Sequence, residues 1–317
     1  MVNLPYSTGR SIISSASLGL AITVGFTAVA DAAISCVPPP ALSNPITYQG
    51  KCPGEAGFPQ QMKVNGRDVY IKLPTNKTCS KSLTITYARN IRITGGQFVY
   101  NDSKQAVISI GMSSGTTMID GVLIDVNKKA ADAIRTYRHK GRLIVQNVYA
   151  RGIGGKPSGP HGDLVQPQGG GPLQELTLQN VSGLTGYQGL FTPYRPVEGH
   201  GTHKLRLDRV NVGYDPTFPK SSGAGKPLML LFMGSAGDPV NKVPDKGTTL
   251  SSVYVDGSYW NFAYQKAIYA HPRTGSGNCA TFDSNQKISG QACGGKPGDF
   301  APASKVGRNY NRAYFCK

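Results

Sequence analysis

One column of turn residues recurs through the middle of this chain: Gly95, Gly121, Asn147, Asn180, Arg209 and Gly257. Two positions before each stand Ile93, Ile119, Val145, Leu178, Leu207 and Val255; four positions before stand Ile91, Thr117, Leu143, Leu176, Leu205 and Val253. Eleven of these twelve upstream residues are apolar, and a spacing of two returns side chains to one face of a strand. Gly and Asn adopt a left-handed backbone most cheaply, so the column reads as a bend that closes each strand. A second strand follows each bend, centred on Ile108, Ile134, Val165, Leu190, Leu230 and Ile268. The strand–bend–strand unit therefore returns at intervals of 26, 26, 33, 29 and 48 residues.

A fixed local pattern at unequal intervals predicts a solenoid whose coils carry loops of different length. No coil buries its own apolar face, so neighbours must stack into a continuous core. An antiparallel sandwich also has many short strands, but it gives no reason for a bend residue to return at one offset from paired apolar positions. The segments RNIRITGGQFVY, GRLIVQNVYARG and LQELTLQNVSG give residues 82–272 a resemblance to the right-handed parallel β-helices of the pectate-lyase-like superfamily. The resemblance implies an all-β solenoid of about six coils with caps at both ends. It implies much less about activity, because that superfamily holds lyases, glycoside hydrolases, esterases and non-catalytic binding proteins.

The division expected along the chain is a signal peptide over residues 1–32, an N-terminal cap over 33–81, the β-helix over 82–273 and a disulfide-containing C-terminal cap over 274–317. Arg10 precedes an apolar run that ends in Ala28-Val29-Ala30 and Asp31-Ala32-Ala33, the layout of a cleaved export signal. Ser14, Ser15, Ser17 and Gly19 make the same run a poor permanent span. Six cysteines follow, three before the repeats (Cys36, Cys52, Cys79) and three after them (Cys279, Cys293, Cys316). An even set on the flanks of an exported protein reads as disulfides that staple its ends, although six cysteines allow 15 pairings. The location expected is therefore secreted or periplasmic, with no membrane insertion once the signal is removed.

The net charge of +17, from 34 Lys and Arg against 17 Asp and Glu, attracts polyanions. Neither the aromatic-and-basic platform of a single-strand nucleic-acid binder nor a basic amphipathic helix for membranes is evident. An acidic polysaccharide is the partner expected, bound by a monomer.

Long loops at residues 152–160, 194–202, 214–226 and 234–247 are where a solenoid walls a groove. The first of them leads into the most polar second strand, His161-Gly162-Asp163-Leu164-Val165-Gln166-Pro167-Gln168. Aligning the inward apolar residues of adjacent coils sets Asp132, Asp163 and Gln188 in one row and Arg135, Gln166 and Phe191 in the next. Tyr137, Gln168 and Pro193 form another row, with His161, His139, Tyr187, Tyr194 and Arg195 at the strand ends. Such a line of donors, acceptors, cations and rings suits a sugar chain. Each member also has a plainer role: Asp after a turn bonds nearby N–H groups, and Gln and Tyr sit on solvent faces of sheets.

Three functions fit. A lyase acting by β-elimination needs a cation for the substrate carboxylate, a base for the carbon-bound proton and an acid for the leaving oxygen. Arg135 or Arg195, His161, and Tyr187 or Tyr194 would fill those roles, with Asp132, His139, Gln166, Gln168 and Gln188 binding the chain. A glycoside hydrolase would use Asp132 and Asp163 as its carboxyl pair. A binding protein would use the groove alone. The sequence requires no cofactor. The resemblance allows calcium, with Asp132 and Asp163 as its oxygen ligands.

Overall fold

Each apolar pair upstream of a bend enters a strand whose neighbours in space come from other coils. The computed structural model describes residues 34–155, 161–168, 173–191, 194–195, 200–202, 204–218, 231–232, 248–256, 268–269, 279–282 and 299–317. One sheet stacks Ile46–Gln49, Val69–Lys72, Ile91–Thr94, Thr116–Asp120, Arg142–Ile153, Glu175–Thr185, Leu205–Tyr214 and Thr248–Asp256, all in parallel. A second stacks Gln61–Lys63, Leu83–Thr86, Ala106–Gly111, Asp132–Tyr137, Val165–Gln168, Leu190–Phe191, Leu231–Phe232 and Ile268–Tyr269, also in parallel. The chain alternates between the two, which makes a parallel β-solenoid of about six coils. Helix among the described residues is confined to one turn at Gly307–Asn309 and another at Arg312–Phe315.

The stacking of Ile93, Ile119, Val145, Leu178 and Leu207 follows the sequence pattern, and all five are buried. The last coil differs. Leu207 pairs with Leu250 and Val210 with Val253, so Ser252, not Gly257, occupies the column after Arg209. Hydrogen-bond register sets this position; residue type does not, and Ser252 takes the left-handed φ of 52°. In the second sheet Leu190 pairs with Leu231, one residue beyond the expected centre. The coils also have a third strand face directly after the bend. There Gln97–Val99 pairs with Leu123–Asp125, which pairs with Tyr149 to Arg151.

The bends have φ of 63° at Gly95, 75° at Gly121, 54° at Asn147, 50° at Asn180 and 59° at Arg209. Their side chains form a ladder: Asn180 Nδ2 donates to Asn147 Oδ1 (2.9 Å), Asn147 Nδ2 to Asp120 Oδ1 (2.8 Å), and Arg209 Nε to Asn180 Oδ1 (2.8 Å). A second column of left-handed residues closes the other sheet, at Asn65 (54°), Tyr87 (59°), Met112 (50°) and Arg138 (51°). The sequence concealed it because three of the four are bulky, and each costs about 1 kcal/mol that glycine would avoid.

Solenoid coils touch only their neighbours, and the described part of the C-terminal tail adds contacts that run lengthwise. Asn211 Nδ2 donates to Asp299 Oδ1 (3.3 Å), Ala301 N to Ser182 Oγ (3.3 Å), Gly96 N to Gly307 O (3.0 Å), and Arg308 Nε to Thr75 O (3.0 Å). Tyr310 then donates its hydroxyl to Asp120 Oδ1 at 2.6 Å, and Arg312 pairs with the same carboxylate. The tail thus folds back along the bend column. A Cβ at Gly121 would stand 2.2 Å from the Tyr310 ring. Gly121→Ala is therefore expected to destabilise the protein by about 2–4 kcal/mol, from backbone strain and overpacking together. Denaturant unfolding measures it, and a loss within error of zero would contradict this docking.

Two disulfides, Cys36–Cys316 and Cys52–Cys79, join the flanks. Cys293 and the side chain of Cys279 lie outside the described residues, as does the expected leader. Residues Ala32–Lys317 form one unit. The disulfides fit an oxidising environment, and no helix among the described residues is long and apolar enough to cross a membrane.

Candidate functional site

The second sheet carries the site, because parallel register turns alternation along one strand into rows across coils. Arg135 lies between Ser109 and Gln166, and Tyr137 between Gly111 and Gln168. These rows face outward: Tyr137 is 39% exposed, Gln168 is exposed and Gln166 half-buried. The Arg135 guanidinium is held at this face, donating to the side-chain oxygens of Gln105 and Gln168, and its Nε stands 4.0 Å from Asp132 Oδ2. Two neutral amides and the Asp132 carboxyl thus hold a cation over the sheet.

Asp132, Asp163 and Gln188 do occupy one row, but it points inward. They share the parity of Ile134, Val165 and Leu190, and all three are buried, Asp163 completely. They are not walls of an open groove. The Asp163 backbone N–H donates to Asp132 Oδ1 at 3.0 Å, while no described group donates to either carboxyl oxygen of Asp163. Burial therefore raises both carboxyls. That of Asp132 is pushed up to about 7, with the Asp163 N–H and the Arg135 charge opposing the rise. Asp163 is raised well above the usual range by burial first and by the negative charge of Asp132 second. Burial and mutual repulsion thus favour one proton shared by the pair over two ionised carboxyls.

His161 is exposed, at the mouth of the strand that follows residues 156–160. Its ring lies 5.4 Å from that of Tyr187, centroid to centroid and tilted by 48°. Tyr187 is fully buried, and its phenol finds no partner among the described residues. Burial, then the nearby Asp163 charge, pushes that phenol up to about 12. It supports His161 from below and is closed to a substrate arriving from solvent. Gln188 Oε1 is likewise buried without a donor.

His139 is a core residue, which removes it from the binding face. Its Nδ1 accepts the Gly141 N–H (3.0 Å) and its Nε2 lies 3.0 Å from Thr117 Oγ1. Burial pushes its pKa down to about 4. This pairing also explains why Thr117 alone broke the apolar column: its hydroxyl is satisfied inside the core by a histidine from the next turn of chain. Tyr194 and Arg195 form a two-stranded antiparallel piece with His200 and Gly201, and their side chains lie outside the described residues.

Among the described residues the site therefore offers one fixed cation (Arg135), one exposed imidazole (His161), an outward aromatic and amide row (Tyr137, Gln166, Gln168) and a buried carboxyl pair beneath them. Tyr137 was legible as an outward row member, and only its exposure makes it a contact for a sugar ring. The donor set is a poor match to calcium, which takes six to eight oxygens: one Asp132 oxygen is taken by an N–H, and no group of three His, Cys, Asp or Glu gathers among the described residues. No family model, curated protein or solved structure matches this chain.

Proposed function

We propose that this chain is an exported β-solenoid protein that engages an acidic polysaccharide along the outward face of its second sheet and cleaves it by β-elimination. The observation that carries the reading is the guanidinium of Arg135, held by Gln105 and Gln168 beside exposed Tyr137. A cation fixed by neutral amides meets a sugar carboxylate without prior reorganisation, which is how electrostatic stabilisation of developing enolate charge is most effective. The net charge of +17 speeds arrival of such a polymer. The resemblance to the pectate-lyase-like superfamily supports a polysaccharide substrate, and the disulfides support export.

In this reading His161 takes the proton from the carbon next to the carboxylate. The freed electron pair forms the double bond, the glycosidic carbon–oxygen bond breaks, and the leaving oxygen takes a proton from water or Tyr194. Asp132 keeps the Arg135 guanidinium oriented. A second reading, hydrolysis by the carboxyl pair Asp132 and Asp163, has less behind it, because both side chains are buried and face inward.

One experiment separates them. The mature protein is incubated with polygalacturonate, alginate and a neutral glucan, and the fragments are followed by absorbance and mass. Unsaturated uronate ends are expected, with His161→Ala lowering kcat by about a hundredfold and leaving binding intact. Arg135→Ala is expected to weaken binding by about tenfold or more as well. Saturated fragments gaining water would move the assignment to hydrolysis, and binding without fragments would leave a lectin-like protein.

A further inference from the structure

The second bend column carries a feature that the Arg135 row does not use. Tyr87, Met112 and Arg138 come from successive coils and are all left-handed, with φ of 59°, 50° and 51°. Bulky residues rarely adopt this backbone, and in the coils alongside and next in line the opposite column fills it with Gly95, Gly121, Asn147 and Asn180, reaching a bulky residue only at Arg209. These three side chains, with Ser113, Ser114 and Lys140, line a cleft of about 570 Å³. None of the six is acidic. Tyr87 is 41% exposed, Arg138 and Lys140 are exposed, and Lys63 Nζ stands 5.2 Å from the Tyr87 ring. Arg138 Cζ in turn stands 5.1 Å from the ring of Tyr137, so the cleft adjoins the outward row of the second sheet.

Strain of this kind persists where the side chain is needed, and it collects at ligand sites. We infer that the cleft of Tyr87, Met112 and Arg138 is a separate subsite for a carboxylate-bearing sugar, resting on the polysaccharide reading above. Arg138 and Lys140 meet the carboxylate, and the exposed Tyr87 ring supports the apolar face of the sugar. Because the cleft crosses three coils, it extends the binding track along the solenoid axis, away from Arg135. The track therefore spans several sugars of one chain.

The test exploits opposite signs. Tyr87→Asn and Arg138→Asn place in this column the residue that the other column uses, so their melting temperatures are expected at or above that of the unaltered protein. Titration with a short oligogalacturonate at low salt is expected to show each variant binding about tenfold more weakly, with a neutral xylo-oligosaccharide unaffected. Lys140→Ala, outside the strained column, should show the same loss and serves if either Asn variant folds poorly. Undiminished binding by these variants overturns the subsite while the Arg135 reading stands. No binding of oligogalacturonate by the unaltered protein overturns both. Tighter binding of a single-stranded oligonucleotide, lost in the same variants, overturns the sugar as the ligand.

Discussion

Asp163→Asn is expected to make this protein more stable above neutral pH, although the residue is completely buried and sits in a polar cluster. The reason is the sign of its linkage. A carboxyl raised in the folded state contributes stability that is fully present below its unfolded value and is lost as pH rises through the folded value. For Asp132, raised from 3.8 to about 7, full ionisation of the folded chain costs on the order of 4 kcal/mol. Asp163 is raised further by burial and by the charge of Asp132, so its ionisation adds to the same loss. An amide at position 163 keeps the backbone N–H bond to Asp132 and cannot ionise.

His139 has the opposite sign. Its pKa falls from 6.5 to about 4, so its contribution is complete above 6.5 and is lost as pH falls through 4. Between those values the histidine and Asp132 offset one another, and above 7 Asp132 is ionised in both states, so of the pair only Asp163 still slopes. Urea unfolding of both proteins from pH 5 to pH 9 should give curves that diverge as pH rises, with the variant the more stable at the alkaline end. A variant less stable than the parent throughout would mean that the ionised pair is satisfied in the fold, and the proton-sharing account would fail.

Removing the Cys36–Cys316 bridge should have an effect of similar size through a different term. It closes a loop of 280 residues, and the chain-entropy relation gives about 5 kcal/mol as an upper figure for such a link. The bridge also fastens two strips that depend on one another. Ile34 N donates to Phe315 O and Lys317 N to Ile34 O, both at 3.0 Å, and Arg312 donates to Val37 O at 3.0 Å. Cys36→Ser with Cys316→Ser is thus expected to release the tail from Gly121 and Asn147 first. Hydrogen exchange should show early loss of protection at residues 96, 301 and 307, whose N–H groups bond across the tail contact, and retained protection in the second sheet. Breaking Cys52–Cys79, separated by 27 residues, should disturb only the first coils. Unchanged exchange at Gly96 and Gly307, whose N–H groups bond to Gly307 O and Gly121 O, would show that the tail holds without its bridge.

The sequence alone determined the solenoid, because its core needs only that apolar residues return at one offset from a cheap left-handed turn. Local stereochemistry writes that pattern into residue type, at Gly95, Gly121, Asn147 and Asn180. Flanking cysteines and surplus positive charge were equally plain, since both are matters of composition. The row membership of Arg135 with Gln166 and of Tyr137 with Gln168 was also legible, since parallel register converts alternation into stacking.

What the tertiary structure decided was direction and depth. Whether Asp132, Asp163 and Gln188 face solvent or core depends on which parity the buried residues claim, and that is set by packing across coils. His139 reads as a strand-end ligand in one dimension and becomes a partner of Thr117 only when two coils stack. The second bend column was hidden because Tyr87, Met112 and Arg138 oppose local preference, and backbone hydrogen bonding between coils holds them there. Ser252 replaces Gly257 in the first column for the same reason: a ladder of parallel hydrogen bonds fixes register more strongly than one residue's ease of bending.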